Sequence, residues 1–287
     1  MRVAAFGLAA FAAGFSLPLA AQDAGDEDTA SPAYEGTVFD GDWISLGAGV
    51  AYSPSYEGSD DYVVSALPIV QGSFAGIGID PRPGGLALDF IPDEDGAVAF
   101  NAGIAGRVVG NRASDIEDPV VELLGELDTA IEVGPTVGVS FPALLNPYDS
   151  LSFNVDARWD VAGAHRGMVV APSVTYFTPL SRGIATSLTL STNRVDDDYA
   201  DYYYSISPAQ SLASGLPAFA AHGGFKDIGV TLFSGFDLDG DATNGGLAIA
   251  VIAGHSWLLG DAKRTPLTSN RGDSGQWLLA AGLGYTF

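Results

Sequence analysis

The sequence predicts an all-β protein, a transmembrane antiparallel up-and-down β-barrel of about twelve strands. Three observations support this prediction. Apolar and polar residues alternate along segments of about ten residues or more, the length that a tilted strand needs to cross a bilayer. Aromatic residues lie near the ends of these segments, where interfacial girdles form. After residue 21, no apolar stretch is long enough for a spanning helix, so the chain is expected to cross a membrane with strands.

The last segment, residues 275–287, shows the alternation most clearly. Successive side chains of a strand point to opposite faces, and here large apolar side chains share one face, while Leu278 is the exception on the other. The apolar face comprises Trp277, Leu279, Ala281, Leu283, Tyr285 and Phe287, and the opposite face comprises Gln276, Ala280, Gly282, Gly284 and Thr286. Residues 127–141 and 151–161 repeat the pattern. The terminal Phe287 resembles the signal read by the outer-membrane barrel-assembly machinery, which is therefore an expected partner during insertion.

The alternating segments and the turn residues between them divide the chain into strands. The expected ranges are 43–53, 62–71, 74–80, 85–90, 97–107, 125–140, 150–162, 167–178, 183–194, 218–237, 245–258 and 275–287. Ten or fourteen strands remain open, because 74–90 and 195–218 are ambiguous. An even number places both termini in the periplasm. The short turns 141–149 and 238–244 then face the periplasm, and the longer segments 108–124, 195–217 and 259–274 face outward.

The chain begins with the pattern of an export signal. Arg2 is followed by an apolar run and by small residues at Ala20 and Ala21, so residues 1–21 are expected to be a cleaved signal peptide. The polar segment 22–41 is expected to be disordered in the periplasm. Residues 42–287 then form the barrel, and the expected location is the cell outer membrane.

Composition excludes several classes of function. The 12 Lys+Arg against 35 Asp+Glu give a net charge of −23, so nucleic acid is not an expected partner. The absence of cysteine excludes disulfides and thiolate metal sites. No metal site and no cofactor is predicted. The remaining expected partners are outer-membrane lipids, lipopolysaccharide and proteins of the envelope.

Three blocks of sequence resemble one family of outer-membrane proteins. The first is Pro54-Ser55-Tyr56-Glu57-Gly58-Ser59-Asp60-Asp61-Tyr62 with Leu67-Pro68, and the second is the stretch 207–218, SPAQSLASGLPA. The third runs from Leu259-Gly260-Asp261-Ala262 through Pro266-Leu267 to the end of the chain, and it departs from the family pattern at 263–265. In this order the blocks are similar to the MltA-interacting protein (MipA/OmpV) family.

The resemblance carries expectations about function. It implies an outer-membrane barrel and, for the founding member, a scaffold between a murein-cleaving transglycosylase and a murein synthase. Other members look like porin-type or adhesion proteins. The resemblance supplies no catalytic residue for this chain.

Acidic residues in the outer loops are candidates for binding a ligand or a cation. Carboxylates in excess suit calcium or magnesium, or cations bridging to lipopolysaccharide phosphates. The alternatives are a loop at 54–62 whose turns are fixed by its Pro, Gly and Ser residues, and a solvated loop at 196–204 with tyrosines as interfacial anchors. The candidates are Asp60, Asp61, Asp196, Asp197 and Asp198.

Three basic residues are candidates for lipopolysaccharide contact. Arg166, Arg194 and Lys226 have the outward parity of strands eight, nine and ten, at their outer ends. Charges near the interface are tolerated on a lipid face and can bind phosphate. The alternatives are snorkelling or a bulge that turns them inward, which Gly223-Gly224 could supply.

Charged residues with inward parity predict a polar lumen. Mixed charges can pair across the lumen and plug it, or line a narrow pore, where the acidic excess would favour cations. The lumen-lining candidates are Arg107, Asp128, Glu132, Asp156, Arg158, Asp160 and Asp227.

Three functions compete, and the leading one is a scaffold for peptidoglycan (murein) synthesis and remodelling enzymes. Its contacts would come from the periplasmic turns and residues 22–41. The second is a porin-like channel for small solutes. The third is an outer-membrane hydrolase, for which His165 near Asp160 is the most plausible site. We expect the protein not to be an enzyme.

Overall fold

The computed structural model describes residues 36–92 and 97–287. The predicted signal peptide, residues 1–21, and most of the segment 22–41 lie outside the described residues. Residues 36–41, which we expected to be disordered, make specific contacts. The Val38 N–H donates to the Thr243 carbonyl at 2.8 Å, and the Phe39 ring meets the Trp43 ring edge to face at 4.9 Å. These six residues therefore differ from the expectation, because their apolar side chains find a surface at the end of the barrel.

Twelve antiparallel strands form a closed barrel, which confirms the predicted fold class and strand number. Each strand pairs with its neighbours in sequence, and β1 closes on β12 from Ser45 opposite Thr286 to Tyr52 opposite Leu279. The strands are β1 Trp43–Pro54, β2 Tyr62–Phe74, β3 Ile77–Arg82, β4 Gly85–Asp89, β5 Ala99–Val109, β6 Ala130–Pro142, β7 Ser150–Asp160, β8 Met168–Ser181, β9 Ile184–Val195, β10 Gly224–Asp237, β11 Gly246–Leu258 and β12 Gly275–Thr286.

Two strands begin five or six residues later than the alternation predicts. β6 begins at Ala130 instead of residue 125, and β10 begins at Gly224 instead of residue 218. The apolar side chains of Leu127 and Phe219, which continue the pattern in the sequence, pack in the outer loops instead of facing lipid. Alternation in the sequence alone does not distinguish an apolar side chain that faces lipid from one that packs in an outer loop.

The alternating faces separate lipid from lumen as predicted. Trp277 and Leu279 on β12 are 55% and 48% exposed, whereas Gln276 and Leu278, which point to the opposite face of the same strand, are 6% and 8% exposed. Since the exposed set is apolar all around the barrel, it forms the belt that contacts acyl chains. Within the described residues, no helix has the length and apolar character needed to cross a membrane.

The outer loops fold into a compact cap over one end of the barrel. We define the cap as residues 55–61, 110–129, 196–223 and 259–274. Its apolar side chains form two clusters, one around Tyr199 and Tyr203 and one around Tyr56 and Leu267. The cap contains the helices α1 Pro119–Glu122, α2 Asp197–Tyr204, α3 Pro208–Ser214, α4 Gly260–Arg264 and α5 Pro266–Ser269. The short turns lie at the opposite end, together with the termini of the barrel.

Large apolar side chains also fill the middle of the lumen. We call this set the apolar layer; it consists of Leu67, Phe177, Phe233, Ile252 and Leu278. Leu67, Ile252, Leu278 and Phe233 cluster on the adjacent strands β2, β1 and β10–β12, and Phe177 on β8 is 2% exposed. A polar cavity of about 700 Å³, the outer chamber, lies on the cap side, and an apolar cavity of about 250 Å³ lies toward the turns.

Candidate functional site

The position of Lys226 corrects the sequence prediction. The pairing of β10 with β9 shifts register between Phe225 and Asp227, so Lys226 is the extra residue of a β-bulge. Phe225 remains on the lipid side and is 56% exposed, whereas Lys226 is 4% exposed and points into the lumen. Lys226 is therefore not placed to contact lipopolysaccharide. The sequence allowed a bulge at Gly223-Gly224 as an alternative, but the bulge lies at Lys226 itself.

Lys226 ties the cap to the barrel wall. Its Nζ forms an ion pair with Glu57, in the loop between β1 and β2, and lies 3.1 Å from Asp227 Oδ2. The Tyr204 hydroxyl, from α2, donates to the other Glu57 oxygen at 2.5 Å. Burial alone would raise the pKa of Glu57, but Lys226 and the Tyr204 hydroxyl hold it below its ordinary value. Glu57 thus connects two cap segments to one strand.

A second charged cluster crosses the lumen wall from β3 to β7. The Arg158 guanidinium contacts Glu132 at 3.2 Å and Asp156 at 2.7 Å. Arg82, at the end of β3, lies 3.6 Å from the same Asp156 oxygen. Arg158, Glu132 and Asp156 are buried, which agrees with their predicted inward parity. Because these buried charges compensate one another, removal of one partner would leave an unpaired buried charge, and the intact cluster has little attraction for ions in solution.

Arg107 lines the outer chamber, in agreement with its predicted inward parity. Its half-buried side chain makes no hydrogen bond or ion pair within the described residues, and its Nε is buried without an acceptor. Asp227, predicted to line the lumen, also borders the chamber. Its carboxylate accepts hydrogen bonds from the Asn193 side chain at 2.9 and 3.1 Å.

One lumen-lining prediction is wrong. Asp128 is exposed in the cap, two residues before β6 begins, and its N–H donates to the Tyr202 hydroxyl at 2.9 Å. Asp160 is half-buried at the end of β7, opposite Glu132, and its carboxylate accepts from the N–H groups of Ala162 and Arg166 at 2.9 and 3.0 Å. Its place in the lumen lining stays a prediction.

The acidic loop candidates do not come together as a cation site. Asp196 caps α2 by accepting from the Tyr199 N–H at 3.1 Å, and Asp197 accepts from the Gly223 N–H at 2.7 Å. Asp198, Asp60 and Asp61 are exposed. Across residues 36–92 and 97–287, no group of three or more His, Cys, Asp or Glu is arranged to hold a metal ion. Asp196 and Asp197 instead accept backbone hydrogen bonds within the cap, Asp196 as the N-cap of α2.

The two remaining basic candidates stay on the outer surface. Arg194 is exposed near the end of β9, opposite the lipid-facing Phe225. Arg166 is exposed in the loop after β7, with a φ of 55°. Their contact with lipopolysaccharide stays a prediction.

His165, the residue weighed as a hydrolase candidate, is buried in aromatic surroundings. Its ring packs against those of Tyr199 and Tyr203 at 4.8 and 5.6 Å. Its Nδ1 accepts the Gly167 N–H at 3.0 Å, and its Nε2 lies 3.4 Å from Glu132. At 3% exposed, the ring fixes the loop after β7 against the cap.

Sequence reasoning missed the residues that organise the cap. Asp118 accepts from the N–H groups of Val120 and Val121 at the start of α1 and pairs with Arg271 at 2.7 Å. Burial alone would raise the pKa of Asp118, but Arg271 and these N–H groups hold it below its ordinary value. Glu57 lies inside the first family block, yet Asp60 and Asp61 were singled out there. The available signal in that block was the position of Glu57, whose carboxylate lies between Tyr56 and Gly58 in the sequence.

Acidification is expected to loosen the cap before the barrel. The pKa values of Glu57 and Asp118 are lower in the folded protein than in the unfolded chain. The unfolded chain therefore binds protons first as the pH falls, and cap stability should decline below about pH 4. The near-ultraviolet circular dichroism of the cap tyrosines measures this loss. Glu57→Gln should be less stable at pH 7 and show a flatter pH dependence; an unchanged slope would contradict the assignment.

The closed barrel, its apolar belt and its packed cap define an integral outer-membrane β-barrel protein. The short turns face the periplasm and the cap faces outward. The chain matches the family described as MltA-interacting protein MipA over residues 46–287, and it belongs to this family. The resemblance found in the sequence is confirmed. None of the curated proteins compared matches the chain.

Solved structures with a similar arrangement include two bacterial transport proteins. An outer membrane channel from Pseudomonas putida F1 has 13% identity and a TM-score of 0.45, over 86% of this chain and 96% of that chain. The Ralstonia pickettii toluene transporter TbuX has 10% identity and a TM-score of 0.33, over 89% and 93%. The outer membrane protein OprG from Pseudomonas aeruginosa has 12% identity and a TM-score of 0.25, over 86% and 96%.

Proposed function

We propose that this protein is a non-conducting scaffold that binds a murein-processing enzyme at its periplasmic end. The observation that carries the proposal is the apolar layer, which lies between two separate cavities of the lumen. Where an apolar constriction separates two cavities, no continuous wetted path is left for ions, so we place the function at the surfaces of the barrel. The family description, an MltA-interacting protein, points to a murein transglycosylase as the partner. A murein synthase is the second partner that the family role implies.

One periplasmic turn has the properties of a docking element. Between β6 and β7, Leu144 and Leu145 are 48% and 78% exposed. Fully buried Asp149 holds this turn by accepting from the N–H groups of both leucines at 2.7 and 3.1 Å. The Tyr176 hydroxyl donates to the same carboxylate at 2.7 Å. A rigid turn that presents two leucines loses little conformational entropy when a partner covers them.

Photo-crosslinking in living cells tests this docking element. We expect a photoreactive amino acid at Leu145 to form an adduct with a murein transglycosylase. The matched control is Leu212, which is 89% exposed on α3 at the opposite end of the barrel. Lipid adducts alone at Leu145, or the same protein adduct from both positions, would contradict the proposal.

A small-solute channel is the second candidate function. The outer chamber favours it, because a polar cavity of about 700 Å³ is large enough for a small solute. On this alternative, the apolar layer would have to open. The scaffold proposal assigns no reaction to the protein, since His165 is buried as a packing residue. Contact of Arg166 and Arg194 with lipopolysaccharide, and insertion by the barrel-assembly machinery, are compatible with either function.

A further inference from the structure

The barrel wall is incomplete beside the outer half of β2. β2 pairs with β1 along its whole length, from Ser73 opposite Trp43 to Tyr62 opposite Pro54. It pairs with β3 only at Gly72–Phe74, because β3 and β4 are six and five residues long. Among the described strands, residues 62–71 therefore have no partner on their second side. We call this opening the lateral gap.

The outer chamber lies directly behind the lateral gap. Backbone groups without partners are tolerated at membrane depth only where they line a water-filled cavity or are covered by protein. Residues 62–65 of β2 do line the chamber, together with residues 82–83 of the β3–β4 hairpin and 107–111 at the end of β5. On the lipid side of the same strand, Val64 is 68% exposed. The chamber is thus bordered by the bilayer at the gap.

Arg107 stands beside the gap with unused hydrogen-bond donors. In the register of the sheet it lies opposite Gly85 of the short hairpin on one side and Glu132 on the other. The other chamber cations are engaged: Lys226 contacts Glu57 and Asp227, and Arg158 and Arg82 share Asp156. Arg107 interacts electrostatically with Glu132, Glu57 and Asp227, but among the described residues it has no close ion pair and no hydrogen bond. Its planar guanidinium matches a carboxylate or a phosphate.

The charge around the cap distinguishes two routes for an anion. The exposed carboxylates of Asp115 and Glu117 border the chamber where it meets the cap, and the whole chain carries a net charge of −23. This field opposes the entry of small anions from water. The lateral gap faces lipid instead, so an anion attached to an acyl chain can reach Arg107 without crossing the acidic rim.

We propose that the outer chamber binds an anionic amphiphile that enters sideways through the lateral gap. The acid group pairs with the Arg107 guanidinium, and the acyl chain extends through the gap into the outer leaflet. This site is independent of the proposed scaffold, which uses the opposite end of the barrel. A free fatty acid and a membrane phospholipid both carry an acid group attached to an acyl chain. The experiment below distinguishes between them.

Photolabelling of the purified full-length protein in detergent tests the site. The probes are palmitate with a diazirine in its chain, hexadecanol with the same diazirine, and phosphatidylglycerol with a diazirine-bearing acyl chain. We expect palmitate, phosphatidylglycerol or both to label the rims of the gap at Val63, Val64 and Val108. Hexadecanol should label these positions weakly, because it lacks the acid group. Labelling by phosphatidylglycerol alone would identify a membrane lipid, and labelling by palmitate alone would identify a free acid.

Matched variants separate specific binding from the lipid annulus. Arg107→Gln should lower labelling at the gap about tenfold, the effect of losing a charge-assisted hydrogen bond. Arg194→Gln, which changes an exposed arginine outside the barrel, should leave it unchanged. Heat-modifiable migration in gels confirms that each variant is folded, and Arg107→Met, which also removes the charge, replaces Arg107→Gln if the latter does not fold. Equal labelling by hexadecanol, labels spread evenly around the barrel, or no response to the Arg107 variants would overturn the proposal.

Discussion

Replacing Lys226 with methionine is expected to lower the free energy of unfolding by about 3–5 kcal/mol. Lys226 is 4% exposed and lies between Glu57 and Asp227. Methionine would fill its space but would leave the Glu57 and Asp227 carboxylates without the ammonium group that pairs with both of them. Removing one partner of a buried pair is costly because the remaining charge stays desolvated. Urea-dependent tryptophan fluorescence of the protein in lipid vesicles measures the loss.

The chain supplies its own control, because its second lysine, Lys263, is exposed on α4. Lys263→Met should change stability no more than an ordinary surface substitution. Combining Lys226→Met with Glu57→Gln should cost less than the sum of the two single changes, since both remove the same ion pair. Strict additivity, or equal effects at the two lysines, would show that Lys226 does not act through Glu57.

Opening the apolar layer is expected to convert a silent barrel into a conducting one. Phe177 is 2% exposed, and Phe233 packs against the cluster that includes Leu67 and Ile252. Replacing both phenylalanines with alanine removes the largest side chains at this level, at a cost of about 3–5 kcal/mol for each. The wild-type protein should show no single-channel steps in planar bilayers. The double variant should show steps, because water can then join the two cavities.

A substitution on the lipid side controls for loss of stability alone. Phe153 on β7 is 41% exposed toward the acyl chains, so Phe153→Ala should remain silent. Conductance by the wild-type protein would favour the channel and remove the main support for a non-conducting scaffold. A folded Phe177→Ala/Phe233→Ala variant without conductance would place the seal elsewhere, in the cap or in the charged clusters.

The sequence predicted the barrel well because its strands obey a local rule. A side chain on a regular strand faces lipid or lumen according to its parity, and both environments select strongly for composition. Arg107, Asp156 and Arg158 were therefore assigned to the lumen correctly. The same rule failed at Asp128, which lies two residues before β6 begins. It also began β6 and β10 too early, because apolar residues of the cap continue the alternation.

The amino-acid sequence by itself determined the class of this protein and the faces its regular strands turn to lipid, and it predicted about twelve strands, with ten or fourteen left open. These properties depend on periods of two residues and on the total length of alternating segments. Tertiary structure alone decided which charges pair, because Glu57, Tyr204 and Lys226 come together only when the loops fold over the closed barrel. One extra residue in β10 turns Lys226 from lipid to lumen, and parity counted along the chain cannot detect that insertion without the neighbouring strand.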